Sequence, residues 1–262
     1  MNAIVLSGTS DIAKDLIKKL REKGYNVFAT YNTSRPDYSL LPKDNWFKLK
    51  ISDYQSIAFH EWIKKIAIWD LFISCIGTQK PVGKVTEVVP KEWAEGVIDN
   101  SVSQLAAFLK ILPFRNNKII STAIFFAGGG TNNPTPYYSS QTLGKVSLIK
   151  GVELLDDELE NVKVTILGPG WVKTKIHSTT LLAKEKVGEN HAKTVFMLEN
   201  PQKMNPISKV VEDLFKIIDL PKDLVGGRNF SSVHDNFDKK WLTKLKKTDN
   251  DFYKLRRLLN NI

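Results

Sequence analysis

The sequence predicts an α/β fold in which helices cover both faces of a parallel sheet. Short apolar runs of strand length alternate with amphipathic helical stretches along most of the chain. Alternation of this kind implies right-handed strand–helix–strand units. The length of 262 residues suits one α/β domain, and no repeat or linker divides it.

Seven strands and five main helices are expected in this order along the chain. The predicted strands are 3–6, 26–30, 46–51, 70–74, 118–126, 163–167 and 228–231. The predicted helices are 12–23, 56–66, 93–112, 139–155 and 208–217. Gly24 is placed to end the first helix, and Pro113 cannot continue the long one. Residues 175–206 are the least regular stretch and are expected to form a lid over a site.

Composition excludes several classes of protein. A single cysteine, Cys75, allows neither a disulfide within the chain nor a zinc site built on cysteines, and the four histidines are scattered. No metal site is therefore predicted. The N-terminus lacks the pattern of a signal peptide, and the apolar stretches fall short of the ~20 residues of a membrane span. We expect a cytoplasmic protein without a membrane partner.

Positive charge is concentrated at the C-terminus. The chain has 38 Lys and Arg against 28 Asp and Glu, a net charge of +10, and residues 238–262 hold eight of the cations against three Asp. This tail could bind an acidic partner, or it could be a solvated helix packed on the body or on a neighbouring subunit. The second interpretation is favoured, because no nucleic-acid motif accompanies the charge. Its candidate packing residues are Trp241, Leu245, Phe252, Leu255, Leu258 and Leu259. The expected organisation is one domain, 1–237, followed by a basic helical tail, 238–262.

A turn of small residues joins the first strand to the first helix. Its sequence is Ser7-Gly8-Thr9-Ser10-Asp11-Ile12-Ala13. Such a turn lets backbone N–H groups approach a pyrophosphate at the helix N-terminus. The alternative is a plain helix cap made by Ser10 or Asp11, since Gly8 is the only glycine.

Five motifs in order resemble the short-chain dehydrogenase/reductase (SDR) family. They are the turn at residues 7–13, Ser74-Cys75-Ile76-Gly77 after the fourth strand, Trp93 with Asn100 in the long helix, Lys145 after the fifth strand, and Pro169-Gly170-Trp171-Val172-Lys173-Thr174 after the sixth. The resemblance covers roughly residues 1–235 and implies a Rossmann-like doubly wound sheet, a nicotinamide cofactor and a homodimer or homotetramer. The cofactor-binding residues that it implies are Ser7, Gly8, Ser10, Asp11, Ile12, Cys75, Ile76, Gly77, Lys145, Pro169, Gly170, Val172 and Thr174. The glycine run at 128–130 resembles a subgroup linked with bacterial carbohydrate pathways.

The segment after the second strand favours NADP(H) over NAD(H). A carboxylate at this point selects the ribose hydroxyls of NAD, whereas a nearby arginine suits the 2′-phosphate of NADP. Here no carboxylate occurs before Asp37, and Asn32 and Arg35 are the candidate ligands. Arg35 could instead be a solvated loop residue.

The catalytic residues implied by the resemblance are only partly present. The family uses a Tyr four residues before a Lys, a Ser after the fifth strand, and an Asn in the long helix. Asn100 and Lys145 remain, but Gln141 takes the Tyr position and no hydroxyl occurs at 127–129. Tyr138 lies seven residues before Lys145 on the same helix face, the spacing used by related enoyl-thioester reductases. Tyr138, or a water held by Gln141, could manage the proton; alternatively Tyr138 simply packs in its loop.

These residues predict an oxidoreductase with an altered active site. Hydride would pass between NADP(H) and a small polar carbonyl or alcohol, with carbohydrate-related compounds among the candidates. The alternative is a catalytically lapsed protein that binds a nucleotide or a partner on the same fold. A role in nucleic-acid binding is not expected.

Overall fold

Seven parallel strands form one sheet in the computed structural model, which describes residues 1–257. The strands are β1 (Asn2–Leu6), β2 (Asn26–Tyr31), β3 (Trp46–Lys48), β4 (Leu71–Ser74), β5 (Ser121–Phe126), β6 (Val162–Gly168) and β7 (Asn229–Ser231). Their order is β3-β2-β1-β4-β5-β6-β7, and every neighbouring pair is parallel. The predicted Rossmann-like α/β fold is confirmed. The strand order reverses between β1 and β4, which is where ligands bind in open sheets of this type.

Ten α-helices occur among the described residues and cover both faces of the sheet. They are α1 (Asp11–Glu22), α2 (Ile57–Ile66), α3 (Pro90–Asn100), α4 (Val102–Ile111), α5 (Ser139–Glu158), α6 (Ser178–Ala183), α7 (Glu189–Glu199), α8 (Ile207–Asp219), α9 (Lys222–Val225) and α10 (Lys239–Thr248). The apolar faces of α1 and α8 form the core on one side, with Leu16 and Leu214 fully buried. Those of α2, α4 and α5 form the core on the other side, around Phe59, Phe108 and Leu148.

The fifth strand is shorter than the sequence suggested. The prediction placed its start at residue 118, but Ile119 and Ile120 are 44% and 54% exposed and lie before the strand begins at Ser121. All six residues of β5 are buried, as expected for a strand covered on both faces. Apolar composition alone did not distinguish the exposed isoleucines from the buried strand.

The predicted long helix at 93–112 is wrong in one respect, because it is two helices. The break is at Ser101, whose backbone angles of φ −139° and ψ −83° are not helical. Just before the break, the Asn100 carboxamide donates to the Gly96 carbonyl at 2.8 Å and to the Thr78 carbonyl at 2.9 Å. Its oxygen accepts from the Thr78 N–H at 3.1 Å. The buried amide therefore fastens the end of α3 to the loop that follows β4.

The segment at 175–206 is more regular than its glycine and prolines suggested. It contains α6 and α7 joined by short 3-10 turns, and Val187 is fully buried between them. The segment packs on the loop that precedes α5, where Asn190 Nδ2 donates to the Pro136 carbonyl at 3.3 Å. Whether it opens and closes as a lid stays a prediction.

The basic tail packs on the body, but only some of the expected packing residues take part. Leu242 and Phe252 are buried, and the guanidinium of Arg228 lies 3.8 Å from the Phe252 ring centroid. Leu245 and Leu255 are partly buried against the two cores, whereas Trp241 is 46% exposed, contrary to expectation. Leu258 and Leu259 lie outside the described residues. The division into a domain, 1–237, and a tail stays a prediction.

None of the helices in residues 1–257 is both long and apolar enough to span a bilayer. The same residues contain no group of three or more His, Cys, Asp or Glu side chains placed to hold a metal ion.

Candidate functional site

The turn between β1 and α1 lies at the point where the strand order reverses. Ser7 has a positive φ of 59°, and the Gly8 N–H donates to the Thr30 carbonyl of β2 at 2.7 Å. A Cβ at Gly8 would lie 2.7 Å from the Ala29 Cβ and 2.9 Å from the Trp46 ring. Gly8 is therefore required by the close approach of this turn to β2 and β3.

The N-terminus of α1 is capped and still offers donors. Ser10 is the N-cap, and its Oγ accepts from the Ala13 N–H at 3.3 Å, as the helix-cap interpretation predicted. Within residues 1–257, the backbone N–H groups of Asp11 and Ile12 have no hydrogen-bond partner. Free N–H groups at a helix start attract anions, so the cap does not exclude phosphate binding. The negative charge of the Asp11 carboxylate disfavours an anion here. This carboxylate accepts a hydrogen bond from the Lys175 backbone N–H at 2.7 Å.

The first residues of the loop after β2 are largely exposed to solvent. Asn32 and Arg35 are exposed, and Arg35 forms no ion pair with any residue of the described range. The Asp37 carboxylate accepts from the Ser39 N–H and hydroxyl at 2.9 and 2.6 Å, and these bonds lower the pKa of Asp37. That carboxylate is therefore satisfied within its own turn.

Lys175 connects the loops after β1, β2 and β6 at the carboxyl edge of the sheet, where these loops border a crevice. No role for it was predicted from the sequence. Its Nζ donates to the Thr9 carbonyl at 3.0 Å and to the Ser34 hydroxyl at 2.9 Å. Lys175 follows β6 and is 141 residues from Ser34 along the chain. No local motif marks it, because only the sheet order brings the loops after β1, β2 and β6 together.

The loop after β4 forms the floor beside this turn. The Cys75 N–H donates to the Leu6 carbonyl at 3.0 Å, which continues the β1–β4 pairing past the strand. Burial raises the pKa of the Cys75 thiol to about 12, so it is protonated at neutral pH. The next two residues, Ile76 and Gly77, lie against Lys145. The Ile76 carbonyl accepts a hydrogen bond from the Lys145 Nζ, and a Cβ added at Gly77 would be 3.9 Å from that Nζ.

Lys145 is buried at the carboxyl ends of β4 and β5. Its Nζ donates to the carbonyls of Ile76 and Phe126 at 3.0 and 2.7 Å. The side chain is 3% exposed, and burial lowers the pKa of Lys145 to about 7. Both acceptors are neutral, so the site holds an amine that changes its protonation near neutral pH.

Gln141 and Tyr138 have different neighbours. A Cβ at Gly128 would lie 3.0 Å from the Lys145 Cγ and 3.9 Å from the Gln141 Nε2, so Gln141 flanks Lys145 where Gly128 leaves room. The Tyr138 hydroxyl is 2.7 Å from the Thr180 hydroxyl of α6. Burial raises the pKa of Tyr138, which makes its phenolate less accessible. In this arrangement the tyrosine bonds to the 175–206 segment, and the Gln141 carboxamide lies near the aliphatic part of the Lys145 side chain.

Close helix packing sets the position of the catalytic candidates. A Cβ at Gly144 would lie 2.7 Å from the Asn100 Cβ and 2.8 Å from the Val97 carbonyl. Gly144 therefore lets α5, which carries Gln141 and Lys145, lie directly on α3, which ends at Asn100. The structure brings Asn100 and Lys145 to the same end of the sheet. The carboxamide of Asn100 is hydrogen-bonded to Gly96 and Thr78.

The loop after β6 closes the crevice. Gly170 has φ +74°, and the Pro169 carbonyl accepts from Asn205 Nδ2 at 2.8 Å. Val172 is buried and its carbonyl is 2.8 Å from His177 Nε2, while Thr174 is half-buried in extended backbone just before Lys175. The loop therefore runs from the end of β6 to the turn after β1.

Comparison with known proteins identifies the fold. No family model and no curated protein sequence matches this chain. Solved structures do match it. A short-chain dehydrogenase/reductase from Saccharomyces cerevisiae, YIR035C, is 18% identical over 93% of this chain and 98% of its own, with a TM-score of 0.76. The ligand-free aldohexose dehydrogenase of Thermoplasma acidophilum is 14% identical over 88% and 91%, with a TM-score of 0.73. A small-chain dehydrogenase in complex with NADPH is 17% identical over 88% and 95%, with a TM-score of 0.69. The chain has the fold of these dehydrogenases.

Proposed function

We propose that this protein is an NADP(H)-dependent oxidoreductase of the SDR type with an altered active site. It would transfer hydride to or from a small polar carbonyl or alcohol, carbohydrate-related compounds included. The observation that carries the proposal is the position of Lys145, whose buried Nζ lies at the carboxyl ends of β4 and β5. Burying a lysine against two neutral carbonyls costs desolvation free energy. Groups buried at such a cost are common at sites that bind a ligand.

The residues of the crevice fit a dinucleotide. The free N–H groups of Asp11 and Ile12 would bind the diphosphate, and Lys145 would bind the nicotinamide ribose. The nicotinamide, when bound, would supply or take the hydride. The solved neighbour that holds NADPH has the same fold, which supports this class of ligand. Two features favour NADP(H) over NAD(H). Arg35 is exposed and has no ion-pair partner in residues 1–257, and no carboxylate lies between the end of β2 and Asp37.

The proton step would differ from that of the family. A carboxamide does not titrate in the useful range, so Gln141 would orient the substrate oxygen or a water. The amine of Lys145, with its pKa near neutrality, is a group of the same helix that can exchange a proton. Tyr138 would reach the substrate only if its hydroxyl left Thr180.

Titration of the protein with NADPH and NADH, followed by quenching of its six tryptophans, tests the cofactor proposal. We expect saturable binding with NADPH the tighter ligand. At pH 6, where Lys145 is protonated, Lys145→Ala should weaken both by about tenfold or more, since a charge-assisted hydrogen bond is lost. Lys150→Ala, an exposed lysine of the same helix, is the matched control and should leave binding unchanged. Absence of binding at millimolar cofactor would refute the oxidoreductase assignment.

Nucleotide binding without turnover is the second candidate function, and Gln141 is the observation that favours it. With a carboxamide at this position and no hydroxyl at 127–129, the usual proton donor is missing. If the site has lapsed, the unaltered protein should show no carbonyl reduction and Gln141→Tyr should introduce it. If the site is active, Gln141→Tyr should leave the rate of reduction unchanged or raise it. Reduction by the unaltered protein, abolished in Tyr138→Phe, would exclude the lapsed site.

A homodimer or homotetramer is part of the proposal. Large apolar side chains of α4 and α5, namely Val102, Leu109, Leu143 and Leu154, are 46–53% exposed. Exposed apolar surface of this kind favours self-association. The mass in solution, measured by light scattering, tests it.

A further inference from the structure

Lys175 places a positive charge at the adenosine end of the crevice. Its Nζ lies between the carbonyl of Thr9, in the turn after β1, and the hydroxyl of Ser34, in the loop after β2. In an open α/β sheet the loop after the second strand lies beside the adenosine ribose. The ammonium therefore stands where a substituent on that ribose would be recognised.

The Lys175 ammonium has three N–H donors but forms only two hydrogen bonds within the described residues, and it has no countercharge there. Both of its partners are neutral oxygens, and no carboxylate oxygen within residues 1–257 lies within 4.0 Å of the Nζ. The Asp11 carboxylate bonds to the Lys175 backbone N–H instead, which fixes the loop but leaves the side chain unpaired with any anion. A phosphate could replace either neutral partner and would form a stronger, charge-assisted bond.

Arg35 adds a second cation next to Ser34. Its guanidinium is exposed and forms no ion pair within the described chain, and the nearest carboxylate along the chain, Asp37, is bonded to Ser39. Arg35 belongs to the loop after β2 and Lys175 to the loop after β6, and Ser34, the neighbour of Arg35 along the chain, is bonded to the Lys175 Nζ.

We infer that Lys175 is a specificity-determining residue that binds the 2′-phosphate of the adenosine half of the cofactor. The inference rests on the proposed function and deepens it. It assigns the preference for NADP(H) to a residue outside the loop after β2. Because Lys175 leads directly into the 175–206 segment, binding of the phosphate would also hold that segment on the crevice.

The test compares the unaltered protein with Lys175→Met and Lys175→Arg in calorimetric titrations. The probes are NADPH, NADH, 2′,5′-ADP and 5′-ADP. Lys175→Met should weaken NADPH and 2′,5′-ADP by about tenfold to a hundredfold, the range expected for one hydrogen bond to a charged group, and leave NADH and 5′-ADP within about twofold. Lys175→Arg should retain most of the NADPH affinity. Lys173→Met, an exposed lysine two residues earlier in the same loop, is the matched control and should change nothing.

Two results would overturn the inference while leaving the proposed function intact. One is equal affinity of the unaltered protein and Lys175→Met for all four probes. The other is an equal loss for NADPH and NADH, which would place the lysine on the diphosphate. If the unaltered protein bound none of the four probes, the proposed function and this inference would both be wrong.

Discussion

Replacing Lys145 by Met should change how stability depends on pH. In the unfolded chain this lysine has its ordinary pKa of 10.5, whereas burial lowers the pKa to about 7 in the folded protein. Between these values the unfolded state binds more protons than the folded state. The free energy of unfolding contributed by this residue therefore rises with pH through this window and is lowest below pH 7.

The size of the effect follows from the two pKa values. One proton difference is worth about 1.4 kcal/mol per pH unit. At pH 7 the folded lysine is half protonated, and by pH 9 it is almost fully neutral. Integrated over that interval, Lys145 should add about 2 kcal/mol to the free energy of unfolding. Above pH 9 the thiol of Cys75 acts with the opposite sign, and because its charge is coupled to Lys145 its effect does not cancel in Lys145→Met, so the comparison ends there.

Urea unfolding at pH 7, 8 and 9 measures this contribution as a difference between two proteins. Lys163 is also buried, and burial lowers its pKa to about 8, but its effect cancels when the unaltered protein is compared with Lys145→Met. Lys150→Met, at an exposed position of α5, is the control and should parallel the unaltered protein. If the difference between the unaltered protein and Lys145→Met stays constant from pH 7 to 9, the amine is not neutralised in the folded state and the reasoning is refuted.

Three further substitutions test how the site is supported, each by thermal or urea unfolding. Gly144→Ala should cost about 1–3 kcal/mol, because its Cβ would overlap α3, whereas Gly129→Ala meets only Thr135 Oγ1 at 3.9 Å and should cost less. Equal losses for the two would contradict the packing argument. Asn100→Ala should cost about 2–4 kcal/mol, since it leaves buried partners without three hydrogen bonds; a loss below 1 kcal/mol would show that water replaces them. Phe252→Ala should cost about 3 kcal/mol by removing a buried ring from under Arg228, and no loss would mean that the tail contributes nothing to the core.

The sheet was predictable because its signals are local. Alternating apolar runs and amphipathic stretches mark strands and helices through side-chain periodicity, which depends on the backbone alone. Boundaries were less predictable where polar contacts decided them. The break at Ser101 directly follows Asn100, whose carboxamide is bonded to Thr78 in the loop after β4.

The site divides in the same way. The sequence by itself determined that Lys145 follows the fifth strand, that Gln141 precedes it by one turn, and that the turn after β1 is built of small residues. Only the tertiary structure decided that Tyr138 bonds to Thr180 and that Lys175 reaches Thr9 and Ser34. The physical reason is distance along the chain. Hydrogen bonds between residues more than 40 positions apart depend on strand order and loop paths, which no local pattern of residue types encodes.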